Sequence, residues 1–270
     1  MALSLAVSPC PNDTFVFHAL VHGLIPDAPG IDLTFADVDV TNTAAERGEF
    51  DLVKVSYAAL PWLLDDYELL PTGGALGRGA GPLVLGRDAA QDLDGATVAV
   101  PGDRTTAYLL FRLWAQGKTP ASIEVVPFHQ IMPGVAEGRY DVGLVIHEAR
   151  FTYQRYGLVS LADLGDWWEA DTGLPIPLGA ILARKGVVDP AEATEWIRKS
   201  VSMAWADPAA SRDFVLANAQ EMEPDVVQQH IDLYVNEFTL DLGREGLAAA
   251  DALLQRSAAA GITPAVKPFI

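Results

Sequence analysis

Residues 140–148 read Tyr-Asp-Val-Gly-Leu-Val-Ile-His-Glu, an apolar run that ends at His147. An uninterrupted Val/Leu/Ile run is typical of a strand that is buried on both faces of a parallel sheet. Ligands of open parallel sheets bind beyond the carboxyl ends of the strands, so the pattern places His147 where a reacting group belongs. Histidine has an unperturbed pKa near neutrality and can act there as a general base. A structural, hydrogen-bonded histidine is the alternative that position alone leaves open.

The composition predicts a folded globular protein. Of the 270 residues, half are apolar and 20% are charged, which argues against disorder. No window approaches the roughly 18 uninterrupted apolar residues of a membrane span. The net charge is −18, whereas nucleic acid or an anionic membrane surface would require a basic partner. An anionic substrate would therefore need local donors, such as helix N-termini or a buried lysine.

The first residues are expected to form a strand of a cytoplasmic protein. Residues 3–7 lack the basic flank and the longer apolar stretch of a secretory signal peptide. Cys10 is the only cysteine, which excludes an intrachain disulfide without indicating a compartment.

Two parts of the chain repeat the order of strand, polar loop and helix. Each loop ends at a helix start, where free backbone N–H groups can bind a carboxylate. The second loop ends at Thr105 and Thr106. The repeated segments are strand 3–7, loop 8–14 and helix 15–22, and then strand 97–100, loop 101–106 and helix 107–116.

A second repeat relates Ser56 to His147. Residues 45–56 (AERGEFDLVKVS) and 135–147 (VAEGRYDVGLVIH) both contain a helix end, a glycine, an aromatic residue followed by Asp, and a buried strand. Ser56 is therefore expected to occupy in one half the place that His147 occupies in the other. Lys54 lies inside the first strand, either at a solvated sheet edge or as a cation of a cleft beside Ser56.

Two short apolar segments that end in arginine, residues 81–87 and 177–184, flank the middle of the chain. We interpret them as strands that connect two α/β lobes, with a cleft between two sets of strand ends. The first lobe is expected to comprise residues 1–93 and 178–270, and the inserted second lobe residues 94–177. Helices are predicted over residues 190–205, 208–219, 224–234 and 244–259, the first three opening at a proline.

Other candidate sites have weaker support. Residues 73–81 are glycine-rich but lack the Gly-Lys-Ser/Thr ending of a phosphate loop. His18 and His22 share a helix face without an evident third metal ligand, so no metal site is expected. No Gly-x-Ser-x-Gly hydrolase motif occurs. Trp167 and Trp168 are expected to be core residues, although either could stack on a flat ligand.

Six segments carry a more specific pattern. They are residues 8–15 (SPCPNDTF), 54–58 (KVSYA), 73–79 (GGALGRG), 105–108 (TTAY), 146–153 (IHEARFTY) and 173–179 (GLPIPLG). In this order they resemble the 1,4-dihydroxy-6-naphthoate synthases of the futalosine route to menaquinone, and the resemblance covers nearly the whole chain.

The resemblance implies a two-lobed fold like that of type II periplasmic binding proteins, used by a cytoplasmic enzyme. It implies a lyase that converts the small molecule cyclic de-hypoxanthine futalosine to 1,4-dihydroxy-6-naphthoate, with release of a three-carbon sugar fragment and without a cofactor. His147 matches the family's proposed proton acceptor. The residues that match its substrate-contacting segments are Lys54, Val55, Ser56, Thr105 and Thr106.

Two alternatives stay open at this point. A chorismate dehydratase of the same route is thought to share the fold, but residues 8–14 and 146–148 argue against it. A solute-binding protein without chemistry predicts an unaltered ligand and a signal peptide, for which residues 3–7 give no support. The sequence carries no signal for the oligomeric state.

Overall fold

The computed structural model describes residues 2–219 and 223–270, which form two five-stranded sheets with helices packed against them. The first elements are β1 (Leu3–Val7), α1 (Pro11–Val21), β2 (Ile31–Phe35), α2 (Val38–Glu46), β3 (Leu52–Ser56), β4 (Tyr67–Gly77), β5 (Leu83–Gly86), β6 (Thr97–Val100), α3 (Thr106–Trp114), β7 (Ser122–Val125) and α4 (Phe128–Ala136). They are followed by β8 (Val142–Val145), α5 (Ala149–Thr152), β9 (Val159–Asp163), α6 (Leu164–Thr172), β10 (Ile176–Arg184), α7 (Pro190–Ala206), α8 (Arg212–Asn218), α9 (Pro224–Tyr234), α10 (Glu237–Leu240) and α11 (Gly243–Ala259).

The two sheets share one strand pattern. In the first, with the order β2-β1-β3-β10-β4, β1 runs parallel to β2 and β3, and β10 runs antiparallel to β3 and β4. In the second, with the order β7-β6-β8-β5-β9, β6 runs parallel to β7 and β8, and β5 runs antiparallel to β8 and β9. Strands β3 and β8 therefore occupy equivalent positions, as do β10 and β5. The internal repeats and the two-lobed α/β fold are confirmed.

The chain passes between the sheets through residues 78–82, which join β4 to β5, and residues 173–175, which join α6 to β10. The division into residues 1–93 with 178–270 and residues 94–177 stays a prediction. The strand pairing differs from this division in one place. The division puts residues 83–86 in the first lobe, whereas β5 pairs with β8 and β9 in the second sheet. The sequence pattern located this strand, but a short apolar run does not indicate which sheet it joins.

Helix α1 begins four residues earlier than the pattern predicts. Pro11 is its first residue and Cys10 its N-cap, because proline has no N–H to lose and suits the first helical turn. The pattern placed Asn12, Asp13 and Thr14 in the loop before the helix, but they lie inside its first turn and are all buried. Polar side chains are thereby carried into the interior.

The C-terminal helices α7, α9 and α11 agree with their predicted bounds to within one residue. The helix predicted over residues 208–219 is divided into a 3₁₀ turn at Pro208–Ser211 and α8. Helices α7 and α9 both pack against α1 and β4 of the first lobe. Among the described residues, no helix has the length and apolarity needed to cross a lipid bilayer.

The first connection between the lobes passes very close to α6. The nearest neighbours of a Cβ at Gly81 would be backbone atoms of Gly165. The carbonyl of Gly81 also accepts a hydrogen bond from Arg150 Nη1 at 2.8 Å, and the Nη2 of that side chain donates to Asp163 at 2.6 Å. Close backbone packing thus explains the glycine at position 81.

Replacing Gly81 with Ala should destabilise the fold, because the new methyl group meets backbone atoms that cannot move aside as a side chain can. We expect the free energy of unfolding in urea to fall by about 1–3 kcal/mol, as for other overpacked sites. Gly30→Ala is the matched control, since its methyl would lie at an ordinary 3.7 Å from Ala2. Equal stabilities of the two variants would contradict the close packing.

Candidate active site

A cavity lies between the two lobes and is lined by residues from both. Lys54 and Ser56 reach it from β3 of the first sheet. Ile146 and His147 reach it from the end of β8 of the second sheet. Because β3 and β8 are equivalent strands, the cavity is at the place that the repeat predicted. The other residues that line it include Ser8, Asn12, Asp13, Thr41, Thr105, Thr106, Leu178, His230 and Tyr234.

His147 ends its strand with an unusual backbone conformation. Its φ is 56°, in the left-handed region that few residues other than glycine adopt. Such conformations cost free energy and are frequent at functional sites. The ring lies edge-on to Phe128, with ring centroids 5.5 Å apart, and Nδ1 is 3.3 Å from Sγ of Cys10.

The surroundings of His147 favour a neutral imidazole. Burial, above all, lowers its pKa below the usual 6.5, while the negative charges of Glu148 and Asp13 act in the opposite direction and Lys54 lowers it. A neutral imidazole at pH 7 has a lone pair available for a proton. The residue can therefore serve as a base without further activation.

Lys54 forms a buried ion pair with Asp13. Its Nζ contacts Oδ1 of the aspartate, and the two side chains are 9% and 1% exposed. Since β3 lies between β1 and β10, the alternative of a solvated edge lysine is wrong, and Lys54 lines the cavity together with Ser56. The carboxylate also accepts hydrogen bonds from the backbone N–H (3.2 Å) and the hydroxyl (2.6 Å) of Ser8.

Asn42 of α2 orients Ser56. Its Oδ1 accepts the backbone N–H of Ser56 at 2.8 Å, and its Nδ2 donates to the serine Oγ at 3.2 Å. The same Nδ2 is 3.4 Å from the carbonyl oxygen of Arg104 in the other lobe. With its oxygen already accepting from Asn42, the serine hydroxyl can donate into the cavity.

Thr105 and Thr106 use their hydroxyl groups for the fold. Thr105 caps α3, since its Oγ1 accepts the backbone N–H of Tyr108 at 3.2 Å. Thr106 Oγ1 donates to the carbonyl of Leu178 at 2.7 Å and accepts the N–H of Ala58 at 3.3 Å. What α3 offers a ligand is its first backbone N–H groups, which have no acceptor within the helix.

One further residue of the wall, His230, was not singled out from the sequence. His230 of α9 is 1% exposed, and its Nε2 is 2.9 Å from Oδ1 of Asn12. Its ring is nearly parallel to that of His147, at 12° and a centroid distance of 6.3 Å. No local signal could have found His230, because 218 residues separate it from its partner.

The structure thus brings together Lys54, Ser56, Thr105, Thr106 and His147, but not Val55. Alternate side chains of a strand point to opposite faces, so Lys54 and Ser56 face the cavity while Val55 is fully buried in the hydrophobic core. A lysine in a buried strand needs an anionic partner, so the sequence indicated that a carboxylate would be near Lys54 without indicating that it is Asp13.

Other candidate groups have structural explanations. Trp168 is fully buried and donates its Nε1–H to the carbonyl of Pro175 at 3.0 Å, which confirms a core role. His18 and His22 pack on each other and on Phe214. Neither tryptophan nor either of these histidines lines the cavity.

Within the described part of the chain, one set of three potential metal ligands has its donor atoms within 4.8 Å of one another: Cys10, His147 and Glu148. Burial, followed by the charges of Glu148 and Asp13, raises the pKa of the Cys10 thiol well above its usual value. A protonated thiol can form hydrogen bonds, and Sγ lies 3.3 Å from Nδ1 of His147. The contact between Cys10 and His147 is therefore interpreted as a hydrogen bond.

Comparison with known proteins gives a family for the chain. Residues 3–259 match the family described as menaquinone biosynthesis. The 1,4-dihydroxy-6-naphthoate synthase of Streptomyces coelicolor is 62% identical over 271 residues, covering 98% of this chain and 96% of that protein. The enzyme of the same name from Thermus thermophilus is 47% identical over 273 residues, covering 99% of this chain and 98% of its own.

Solved structures support the fold. A protein of Archaeoglobus fulgidus is 30% identical with a TM-score of 0.90, covering 97% of this chain and 98% of that one. A Candida albicans protein with the generic periplasmic binding protein fold has a TM-score of 0.70 at 10% identity, covering 99% of this chain and 92% of that one. At so low an identity the likeness concerns the fold alone, and it confirms the binding-protein-like architecture.

Replacing either member of the Lys54–Asp13 pair should destabilise the protein, because the remaining charge would be buried without its partner. We expect Lys54→Met and Asp13→Asn each to lower the free energy of unfolding by about 3–5 kcal/mol. The double variant should lose less than the sum of the two single losses, as measured by a double-mutant cycle.

The control for this cycle is the exposed pair of Arg47 and Glu49. Arg47→Met should cost less than about 1 kcal/mol, as is usual for surface ion pairs. If Lys54→Met proved as mild as Arg47→Met, or if the double cycle were additive, the buried pair would not hold the site together.

Proposed function

This chain belongs to the menaquinone biosynthesis family, and we propose that the cavity between its lobes is the active site of a 1,4-dihydroxy-6-naphthoate synthase. As such a lyase, it converts cyclic de-hypoxanthine futalosine to 1,4-dihydroxy-6-naphthoate and releases a three-carbon sugar fragment. The observation that carries the assignment is the position of His147, which lines the cavity across from Lys54 and Ser56 of the other lobe.

His147 is assigned the role of general base. In the tautomer with the proton on Nδ1, that N–H donates to the sulfur of Cys10, and Nε2 keeps its lone pair for the substrate. Nε2 removes a proton from the bound spirocyclic substrate, and the electron pair left behind forms a double bond of the new aromatic ring. The bond to the sugar-derived carbons breaks, its electrons stay on the departing fragment, and that fragment takes up the proton held by His147. Aromatisation makes the step favourable.

The substrate carboxylate is assigned to the N-terminus of α3 and to Ser56. Lys54 is already paired with Asp13, so its charge is largely compensated before the substrate arrives. The first backbone N–H groups of α3, at Thr106 and Ala107, are donors that suit an anion. Held there, the substrate would place its reacting carbon beside His147, which is the benefit of a fixed geometry.

The proposal includes the cytoplasm as the place of action and no cofactor. The two curated relatives carry the name of a biosynthetic enzyme. The step assigned to His147 needs a base and hydrogen-bond donors, and both are supplied by side chains and backbone of this chain.

Incubation of the purified protein with cyclic de-hypoxanthine futalosine should yield 1,4-dihydroxy-6-naphthoate and the three-carbon fragment, detected by mass spectrometry. His147→Ala should remain folded and bind substrate, while kcat falls by about 10²–10⁴-fold, the usual contribution of a general base.

His129→Ala is the control, because this histidine is exposed on α4 and does not line the cavity. Its kcat should equal that of the wild type. Recovery of unaltered substrate from the wild type would indicate a binding protein without chemistry. A His147→Ala variant with near-normal turnover would remove His147 from the reaction.

The pH dependence of kcat/KM should show the lowered pKa of His147. The base is active when neutral, and burial lowers its pKa below 6.5, so activity should persist as pH falls through 6.5 and be lost only below it. Glu148 is the largest influence that raises this pKa. Glu148→Gln should therefore shift the acidic limb to lower pH.

The measurement is the pH dependence of kcat/KM, because its acidic limb reports the pKa of the base in the free enzyme. A limb centred above pH 6.5, or a shift to higher pH in Glu148→Gln, would contradict the assignment of His147 as the titrating base. The other titratable groups around the ring are Cys10, Asp13, Asp37, Lys54 and His230.

A further inference from the structure

His230 is the second histidine of the cavity wall, and the proposed chemistry does not use it. It comes from α9, and it is 1% exposed. Its Nε2 is 2.9 Å from Oδ1 of Asn12. Its other ring nitrogen, Nδ1, is buried and has no hydrogen-bond partner among the described residues.

The direction of each hydrogen bond in this region follows from the carboxylate of Asp13. A carboxylate only accepts hydrogen bonds, so Asn12 must direct its amide nitrogen to Asp13, at 2.9 Å. The carbonyl oxygen of Asn12 then faces His230. Because that oxygen cannot donate, Nε2 of His230 carries a proton and donates it.

The second ring nitrogen must then be an acceptor as long as the ring is neutral. Burial, followed by the nearby His147 and Lys54, lowers the pKa of His230 well below its usual value. With the only proton on Nε2, a lone pair remains on Nδ1. Tyr234, one helical turn away, packs against the ring with centroids 4.6 Å apart and limits its rotation.

A buried acceptor without a partner is rare in folded proteins, because its desolvation is not compensated. Here the acceptor belongs to a residue that lines the cavity, and its ring stacks at 6.3 Å on that of His147. A ligand that donates a hydrogen bond at this point would satisfy it. Hydroxyl groups are such donors.

We propose that Nδ1 of His230 accepts a hydrogen bond from a sugar-derived hydroxyl of the substrate and so positions this part of the molecule beside His147. The assignment rests on the proposed function and adds a specificity-determining residue to it. Lys54, Asp13 and Asn12 act behind His230, since together they fix which of its nitrogens accepts.

Two substitutions separate this role from a structural one. In His230→Gln, the amide nitrogen is as many bonds from Cα as Nε2 was, so the hydrogen bond to Asn12 is kept. The amide oxygen is attached at Cδ, so no acceptor remains at the position of Nδ1. In His230→Asn, Oδ1 is attached at Cγ as Nδ1 was, so the acceptor is kept and the bond to Asn12 is lost.

We expect KM of His230→Gln to rise by about tenfold or more, the usual effect of one lost hydrogen bond to a buried group, with kcat and the melting temperature close to those of the wild type. His230→Asn should show the reverse, a lower melting temperature with KM near the wild-type value. A substrate analogue that lacks this sugar-derived hydroxyl should bind to the wild type more weakly than the substrate does. His230→Gln should bind the analogue and the substrate with equal affinity.

An unchanged KM in His230→Gln would overturn the assignment, and so would parallel changes of KM and melting temperature in both variants. Those results would leave the proposed function intact, because wild-type turnover is measured in the same assay. Absence of any turnover by the wild type would instead overturn the proposed function, and the role of His230 with it.

Discussion

The ion pair between Lys54 and Asp13 is the constraint on which the site depends. A lysine inside a central strand cannot be solvated, and an unpaired buried charge is strongly unfavourable. The early start of α1 at Pro11 brings Asp13 into the interior, where it meets Lys54. The carboxylate then orients Ser8 and Asn12, and Asn12 orients His230. One buried charge thus sets the hydrogen-bonding direction along a whole wall of the cavity.

The opposite wall is held by contacts between the lobes. Asn42 bonds to Ser56 in its own lobe and to the carbonyl of Arg104 in the other. Thr106 of the second lobe bonds to Leu178 of the first. The first of these contacts joins α2 to the loop before α3, and the second joins the first turn of α3 to β10. In the proposed function, these contacts hold the helix end that would bind the substrate carboxylate close to His147, in a space where the low dielectric strengthens electrostatic interactions.

Local patterns in the sequence were sufficient for the strands, the repeats and the place of His147. An apolar run that stops at a polar residue predicts a buried strand wherever it occurs. The sequence therefore indicated that β3 and β8 occupy equivalent positions in the two lobes. Long-range features could not be predicted in this way. The sheet to which β5 belongs depends on pairing with distant strands, and His230 meets Asn12 across 218 residues. The family resemblance grouped Val55 with Lys54 and Ser56. Because alternate side chains of a strand point to opposite faces, Val55 points into the core instead.

The same ion pair also explains how burial can keep His147 neutral beside a lysine and three carboxylates. Asp13, Glu148 and Asp37 raise the pKa of His147, and Lys54 lowers it. Because Lys54 and Asp13 are in contact, their effects on the ring largely oppose each other. Burial is then the strongest influence, and it favours the uncharged imidazole. A lysine without its aspartate would lower the pKa further and weaken the base, whereas an aspartate without its lysine would favour the protonated ring. In the proposed function, the pair therefore keeps His147 available for proton transfer and leaves the substrate carboxylate to the helix N-terminus.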